Sequence, residues 1–138
     1  MIKVAAGILI QPARAQVLLC QRKRTSSYAL KWEFPGGKVK DEESIPHCLQ
    51  RELREELNID AAIGELYYRH QYVYPDSGTY DVYYHLVPSH SGKILNRVFE
   101  SFAWVPLTDL RYFDILEGNT DVVEKLMKDH ETIAAGKS

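Results

Sequence analysis

Only two cysteines, Cys20 and Cys48, occur among the 138 residues, 28 positions apart and with no second ligand at metal spacing. Both fall inside apolar periodic segments, so they read as reduced core residues, which excludes a disulfide-stapled scaffold or a zinc ribbon. No stretch approaches the roughly 18 apolar residues of a membrane helix. The opening MIKVAAGILI lacks the length and the small-residue cleavage pattern of a signal peptide and reads as a first strand. An excess of one charge is also missing, since 17 Lys plus Arg against 19 Asp plus Glu leave −2. Such a balance gives no footprint for duplex nucleic acid, although a local pocket or a metal can still meet a small anion. There is no internal repeat, low-complexity tract or Pro/Ser-rich linker, and only the closing AAGKS looks like a frayed tail. What remains is one domain over 1–138, expected in the cytoplasm as a monomer or homodimer. With 45% hydrophobic residues it can bury roughly 68–70% of its unfolded surface.

Hydrophobic periodicity places the elements. Val4 to Gln11 and Val17 to Arg22 are β-prone runs around a turn containing Pro12, a hairpin pattern. Trp32 to Phe34 is a short extended run stopped by a Pro35-Gly36-Gly37 loop. From Ser44 to Asn58 the period changes: Ile45, Cys48, Leu49, Leu53 and Leu57 form one stripe of an amphipathic helix. Ser44 suits its N-cap, Pro46 its first turn and Asn58 its left-handed end. Tyr67 to Tyr74 and Thr79 to Val87 flank Pro75-Asp76-Ser77-Gly78, a second hairpin. Phe102 to Val105 is a strand ended by Pro106, and Thr120 to His130 a last helix with Val122, Val123, Leu126 and Met127 apolar. The order β, β, β, α, β, β, β, α predicts an α/β protein, a mixed sheet with helices on its two faces. The tyrosines at 67, 68, 72, 74, 80, 83 and 84 read mainly as a β signal, half of them inward. His70 and His85 read as strand residues.

Chemistry concentrates in GGKVKDEESIPHCLQRELREELNI, residues 36–59. On a helix Glu52, Glu55 and Glu56 are related by i+3 and i+4, which puts three carboxylates on one face. Like charges so spaced destabilise a helix by roughly 0.2–0.5 kcal/mol per pair, and Arg51 and Arg54 offset that only in part. A solvated helix face is one explanation of such a run. A set of hard oxygen ligands for Mg²⁺ or Mn²⁺ is the other.

The wider spacing separates these. Gly37, five residues, Glu43, seven residues, Arg51-Glu52-Leu53, one residue, Glu55-Glu56, one residue, Asn58-Ile59 resembles the Nudix hydrolase signature G-x5-E-x7-R-E-U-x-E-E-x-G-U, where U is bulky and aliphatic. Eight of nine fixed positions match. The departure is Asn58 for glycine, the next best residue for positive φ at a helix end. WEFPGGK, the long hairpin and WVPLTDL extend the likeness to the MutT-like branch of small nucleoside triphosphate pyrophosphohydrolases.

This resemblance implies an α/β/α sandwich and Mg²⁺-dependent hydrolysis of a (deoxy)nucleoside triphosphate to the monophosphate and pyrophosphate, with oxidised guanine or cytidine nucleotides as candidates. It implies that Glu52, Glu55 and Glu56 hold the metal, with one of them or a nearby carboxylate orienting or deprotonating water. Glu43 adds a metal or outer contact, Arg51 positions a glutamate, and a carbonyl of Gly36 or Gly37 faces the ion. Many relatives carry another glutamate six residues before the tryptophan of the last strand. Here that position is Val98, which leaves Glu100 as the candidate or as a plain loop carboxylate. Arg22, Phe34 and Asn119 are candidates for substrate binding. Their alternatives are a strand end, a core aromatic and an N-cap for the last helix. Two other readings are hydrolysis of ADP-ribose or dinucleoside polyphosphates, and a non-catalytic nucleotide-binding module.

Overall fold

Three small residues in succession, Ala5-Ala6-Gly7, let the first strand lie deep between two helical layers. A computed structural model describes residues 1–134, so the AAGKS tail falls outside the described residues apart from Ala134. Strand β1 spans Ile2–Gln11, two residues more than its apolar run predicts. It turns through a 3₁₀ helix at Pro12–Arg14, closed by Ala15 at φ 49°, into β2, Gln16–Gln21. The remaining strands are β3 (Trp32–Glu33), β4 (Gly36–Lys38), β5 (Asp60–Ala62), β6 (Leu66–Tyr74), β7 (Gly78–Val87), β8 (Ser89–Ser91) and β9 (Ser101–Pro106). The helices are α1 (Ile45–Leu57), α2 (Thr120–Lys128) and α3 (His130–Ala134).

The main sheet runs β3-β2-β1-β7-β6, with β4 also on β1 and β9 also on β2. β1 and β7 are parallel from Ile2↔Tyr80 to Leu9↔Val87, and the other strand pairs are antiparallel, so the sheet is mixed as predicted. Alternation along β1 feeds two cores. Ala5 and Leu9 pack with Leu18, Cys20 and the α1 residues Cys48, Leu49, Leu53 and Leu57. On the other face Ile8 and Ile10 pack with Leu19, Tyr84 and the α2 residues Val122, Val123 and Leu126. Each fully buried aliphatic side chain stabilises this α/β/α sandwich by about 1.5–3 kcal/mol. Both cysteines are free and fully buried, and burial raises both thiols, Cys48 to about 11.

α1 follows its sequence signals. The Ser44 side chain accepts the His47 N–H, Pro46 sits in the first turn, and Asn58 takes φ 62° while its N–H bonds Arg54. Two expectations need correction. Pro35-Gly36-Gly37 is not a plain loop: Gly36 and Gly37 pair with Ala6 and Ala5 as β4. The last helix is not continuous to His130. It stops at Asp129, whose carboxylate accepts the Tyr67 hydroxyl at 2.6 Å and Lys125 at 2.8 Å, and α3 follows. The small β5–β8 sheet had no strand-length signal and was not expected. No described helix is long and apolar enough to cross a membrane.

Candidate active site

The carboxylates are gathered by a backbone approach that only glycine permits. Gly36, at φ 153°, lies so close to the Ala5 carbonyl that a Cβ would overlap it, and a Cβ on Gly37 would overlap the Glu52 carboxylate. β4 is thereby wedged between β1 and α1. The Gly36 N–H donates to Glu56 Oε1 at 3.1 Å.

Arg51 organises the rest. Its Nε and Nη2 meet the two oxygens of Glu43 at 2.7 and 3.0 Å, a two-pronged, charge-assisted contact. Nη1 reaches Glu52 Oε1 at 2.8 Å and Glu55 Oε2 at 3.3 Å, and Nη2 also donates to the Lys38 carbonyl at 3.3 Å. The Arg51 contact, aided by the Lys40 N–H, lowers the Glu43 carboxyl to about 2. Glu56 is shifted the other way. Burial first, then the Glu52 charge, raise it to about 8 against the opposing pull of the Gly36 amide. Glu55 stays largely in solvent.

Glu56, Gly36 and Gly37 open onto a cavity of about 330 Å³ that Arg22, Phe34 and Asn119 also line. Five of the predicted site residues therefore meet in one cavity: Gly37, Glu56, Arg22, Phe34 and Asn119. Glu52, Glu55 and Arg51 stand beside them along α1. Glu100 does not line this cavity. Its carboxylate is held by Arg24, through the backbone N–H at 3.3 Å and Nη2 at 3.1 Å.

Around Asn119 the polar groups form a relay. The Phe34 N–H donates to Asn119 Oδ1 at 3.1 Å, and Asn119 Nδ2 donates to the Tyr84 hydroxyl at 3.1 Å. Tyr84 donates to the Gly118 carbonyl at 3.3 Å, and the Gly118 N–H donates to the Tyr74 hydroxyl at 2.8 Å. The Phe34 amide can only donate, which fixes the orientation of the Asn119 side chain. Asn119 occupies the N-cap position of α2 as the alternative has it, but its side chain makes no capping bond there and is spent on Phe34 and Tyr84 instead. Phe34 is buried and packs edge-on to Tyr84 at 6.1 Å, so it is a core residue as well as a cavity wall. Arg22 is not a free strand end: it binds Glu33 at 3.1 Å and the Ser27 carbonyl at 2.8 Å. Burial raises the Glu33 carboxyl although Arg22 pulls it down.

Several cavity residues were not anticipated: Glu33, Tyr28, Tyr72, Tyr74, Tyr80 and Asp76. The signal for three of them was available. Tyr72 and Tyr74 on β6, and Tyr80 and Tyr84 on β7, are separated by even numbers and so share a strand face. His70 and His85 lie in strands as expected, His85 Nδ1 2.9 Å from the Gly64 carbonyl.

A divalent cation suits this acid end chemically. The side chains offer hard oxygens on a rigid helix, with one guanidinium shared between Glu52 and Glu55 as the neighbouring cation. As placed, no three acidic, histidine or cysteine side chains among the described residues stand close enough to hold an ion. Arg51 Nη1 holds Glu52 and Glu55 together, whereas Glu56 is held apart from them on the Gly36 amide.

Comparison with known proteins bears on this geometry. The model of the NUDIX domain matches residues 1–126. A protein of Haemophilus influenzae named 8-oxo-dGTP diphosphatase is 34% identical over 128 residues, 93% of each chain. The CTP pyrophosphohydrolase of Escherichia coli is 48% identical over 71 residues, 51% of each chain. A solved MutT structure, from work on Aliivibrio salmonicida and Vibrio cholerae, superposes with a TM-score of 0.81 at 27% identity, covering 93% of this chain and 98% of the other.

Proposed function

The chain belongs to the NUDIX domain family, and we propose that it is a MutT-like pyrophosphohydrolase that cleaves a (deoxy)nucleoside triphosphate to the monophosphate and pyrophosphate. The observation that carries this reading is one cavity joining an acidic end to an aromatic, amide-bearing end. Its volume of about 330 Å³ lies at the small end of ligand sites, which favours one nucleoside over the two of a dinucleoside polyphosphate. The names of the relatives point to oxidised guanine or cytidine nucleotides. We take residues 1–138 as a single domain, and the two buried, unpaired thiols support a reducing compartment, the cytoplasm.

In this reading Glu52, Glu55 and Glu56, with the Gly37 carbonyl, hold Mg²⁺ or Mn²⁺. The cation supplies positive charge to the phosphate oxygens and to an attacking water. Arg51 orients Glu52 and Glu55, and Glu43 fixes Arg51 in turn. The aromatic end binds the base: Phe34 and the tyrosines supply apolar contact, and Asn119 has one N–H beyond the relay for a base edge. Arg22 and Lys38 are cations of the cavity wall, Arg22 already shared with Glu33. For Glu100 to join the metal set, its contacts with Arg24 have to yield.

A panel of nucleotides incubated with Mg²⁺, scored for pyrophosphate against orthophosphate, tests the proposal. Release of pyrophosphate from at least one triphosphate is expected. Exclusive turnover of ADP-ribose or dinucleoside polyphosphates overturns it in favour of those substrates, and no turnover with any compound leaves only a binding module.

A further inference from the structure

Two segments far apart in sequence meet at the aromatic end of the cavity. The loop between β2 and β3 carries Tyr28, and the turn between β6 and β7 carries Asp76; both residues line the cavity. The Tyr28 hydroxyl donates to the Asp76 carboxylate, and the Tyr28 ring lies 5.1 Å from that of Tyr74. Tyr74 in turn packs edge-on to Tyr72 at 4.7 Å and to Tyr80 at 5.5 Å, so Tyr28 completes an aromatic wall otherwise contributed by β6 and β7.

The loop is shaped to deliver Tyr28. Tyr28 and Leu30 adopt φ 53° and 63°, a region that costs bulky residues energy and is kept only where surrounding contacts enforce it. Those contacts lie at the loop's base: the Leu30 N–H bonds the Arg22 carbonyl at 3.1 Å, and Arg22 Nε bonds the Ser27 carbonyl at 2.8 Å. The phenol–carboxylate bond itself is in solvent, where such a contact adds little to folding stability. A strained loop tethered by an exposed bond at the wall of a ligand cavity is poorly explained as a stability device.

Resting on the pyrophosphohydrolase reading above, we propose that Tyr28 and Asp76 are positioning residues. Their hydrogen bond clamps the β2–β3 loop to the β6–β7 turn and holds the Tyr28–Tyr74 wall against the base of a bound nucleotide. Base–aromatic contact tolerates every base, so the clamp governs retention of the nucleoside rather than choice among bases.

The test measures the Kd of the nucleoside monophosphate by titration, together with KM and kcat for the triphosphate that the wild type cleaves fastest. Tyr28→Phe keeps the ring and removes the donor. It is expected to raise Kd and KM about tenfold while kcat stays within about threefold. Asp76→Ala should match it, and Asp76→Asn, which retains an acceptor oxygen, should stay within about threefold of the wild type. The double variant Tyr28→Phe/Asp76→Ala should be no weaker than either single variant. Unchanged Kd and KM in Tyr28→Phe, losses that add in the double variant, or a fall in kcat without a change in Kd each overturn the clamp. If the wild type binds the monophosphate but hydrolyses nothing, the proposed activity fails and the clamp is judged on Kd alone. If it does not bind the monophosphate, the clamp fails too.

Discussion

At the α1–β4 end of the cavity Glu43, Glu52 and Glu55 divide one guanidinium and Glu56 is left with a backbone amide, whereas around Asn119 each polar group of the relay meets a neutral partner. The first region is short of positive charge, and its geometry is completed by what binds there. The second is satisfied without ligand, and what it offers a substrate is shape and one directed N–H. Perturbing the first should therefore change rate with little change in stability, and perturbing the second should change stability and selectivity together.

Removal of divalent ions is the strongest challenge to that contrast. With EDTA, pyrophosphate release should fall to background and return on adding Mg²⁺, while the melting temperature falls only modestly as a ligand of the folded state is withdrawn; persistent turnover would dissolve the distinction between the ends. Next in size are Glu55→Gln and Glu56→Gln. Each should lower kcat on the order of 10²–10³-fold. Thermal stability should stay level or rise: Glu56→Gln removes a buried ionisable group and its repulsion from Glu52, and Glu55→Gln loses an exposed Arg51 contact of about the same size as the like-charge repulsion it relieves, roughly 0.2–0.5 kcal/mol per pair. Normal turnover in both would remove the acid end from the mechanism.

Asn119→Ala should behave in the opposite way. It strips the buried Phe34 N–H of its acceptor, costing about 1–3 kcal/mol in denaturant unfolding, and it should shift relative kcat/KM among bases. A uniform loss over all bases with unaltered stability would make the two ends alike. The smallest effect is on pH limits. Glu43 has a depressed folded value, so the stability it contributes is present above the usual carboxylate range near 4 and is lost as pH falls towards about 2. Burial raises the Tyr84 phenol, so its contribution is present below about pH 10 and is lost as pH rises beyond. Glu43→Gln should flatten only the acid limb of melting temperature against pH, and Tyr84→Phe only the alkaline limb.

Local signals were enough for α1, the β1–β2 turn and the long hairpin. Ser44, Pro46 and Asn58 act within a few residues of where they sit, and Pro75 to Gly78 encode a turn by themselves. β4 was hidden because glycine carries no strand propensity, and its pairing depends on a close approach to Ala5 and Ala6, far back in the sequence. The break at Asp129 comes from a tertiary partner, Tyr67, that helical periodicity does not register. Within the site, the glutamates and Gly37 were legible through the motif that spaces them. Glu33 and the tyrosine wall were not, since an acid in a short strand and tyrosines in a β-rich stretch have common structural explanations until the strands are placed around a cavity.

The crowding where Ala5, Ala6 and Gly7 meet the β4 glycines has a consequence for how this protein can diverge. Any added carbon at Gly36 or Gly37 collides with backbone or with the Glu52 carboxylate, and one at Gly7 presses on Leu49 at 3.3 Å. That side of the cavity is closed to evolutionary tinkering, whereas the β2–β3 loop and the β6–β7 turn are exposed and can accept new residues without disturbing either core. Differences in how tightly descendants of this chain hold a nucleoside should accumulate in those two segments while β1 and β4 stay frozen.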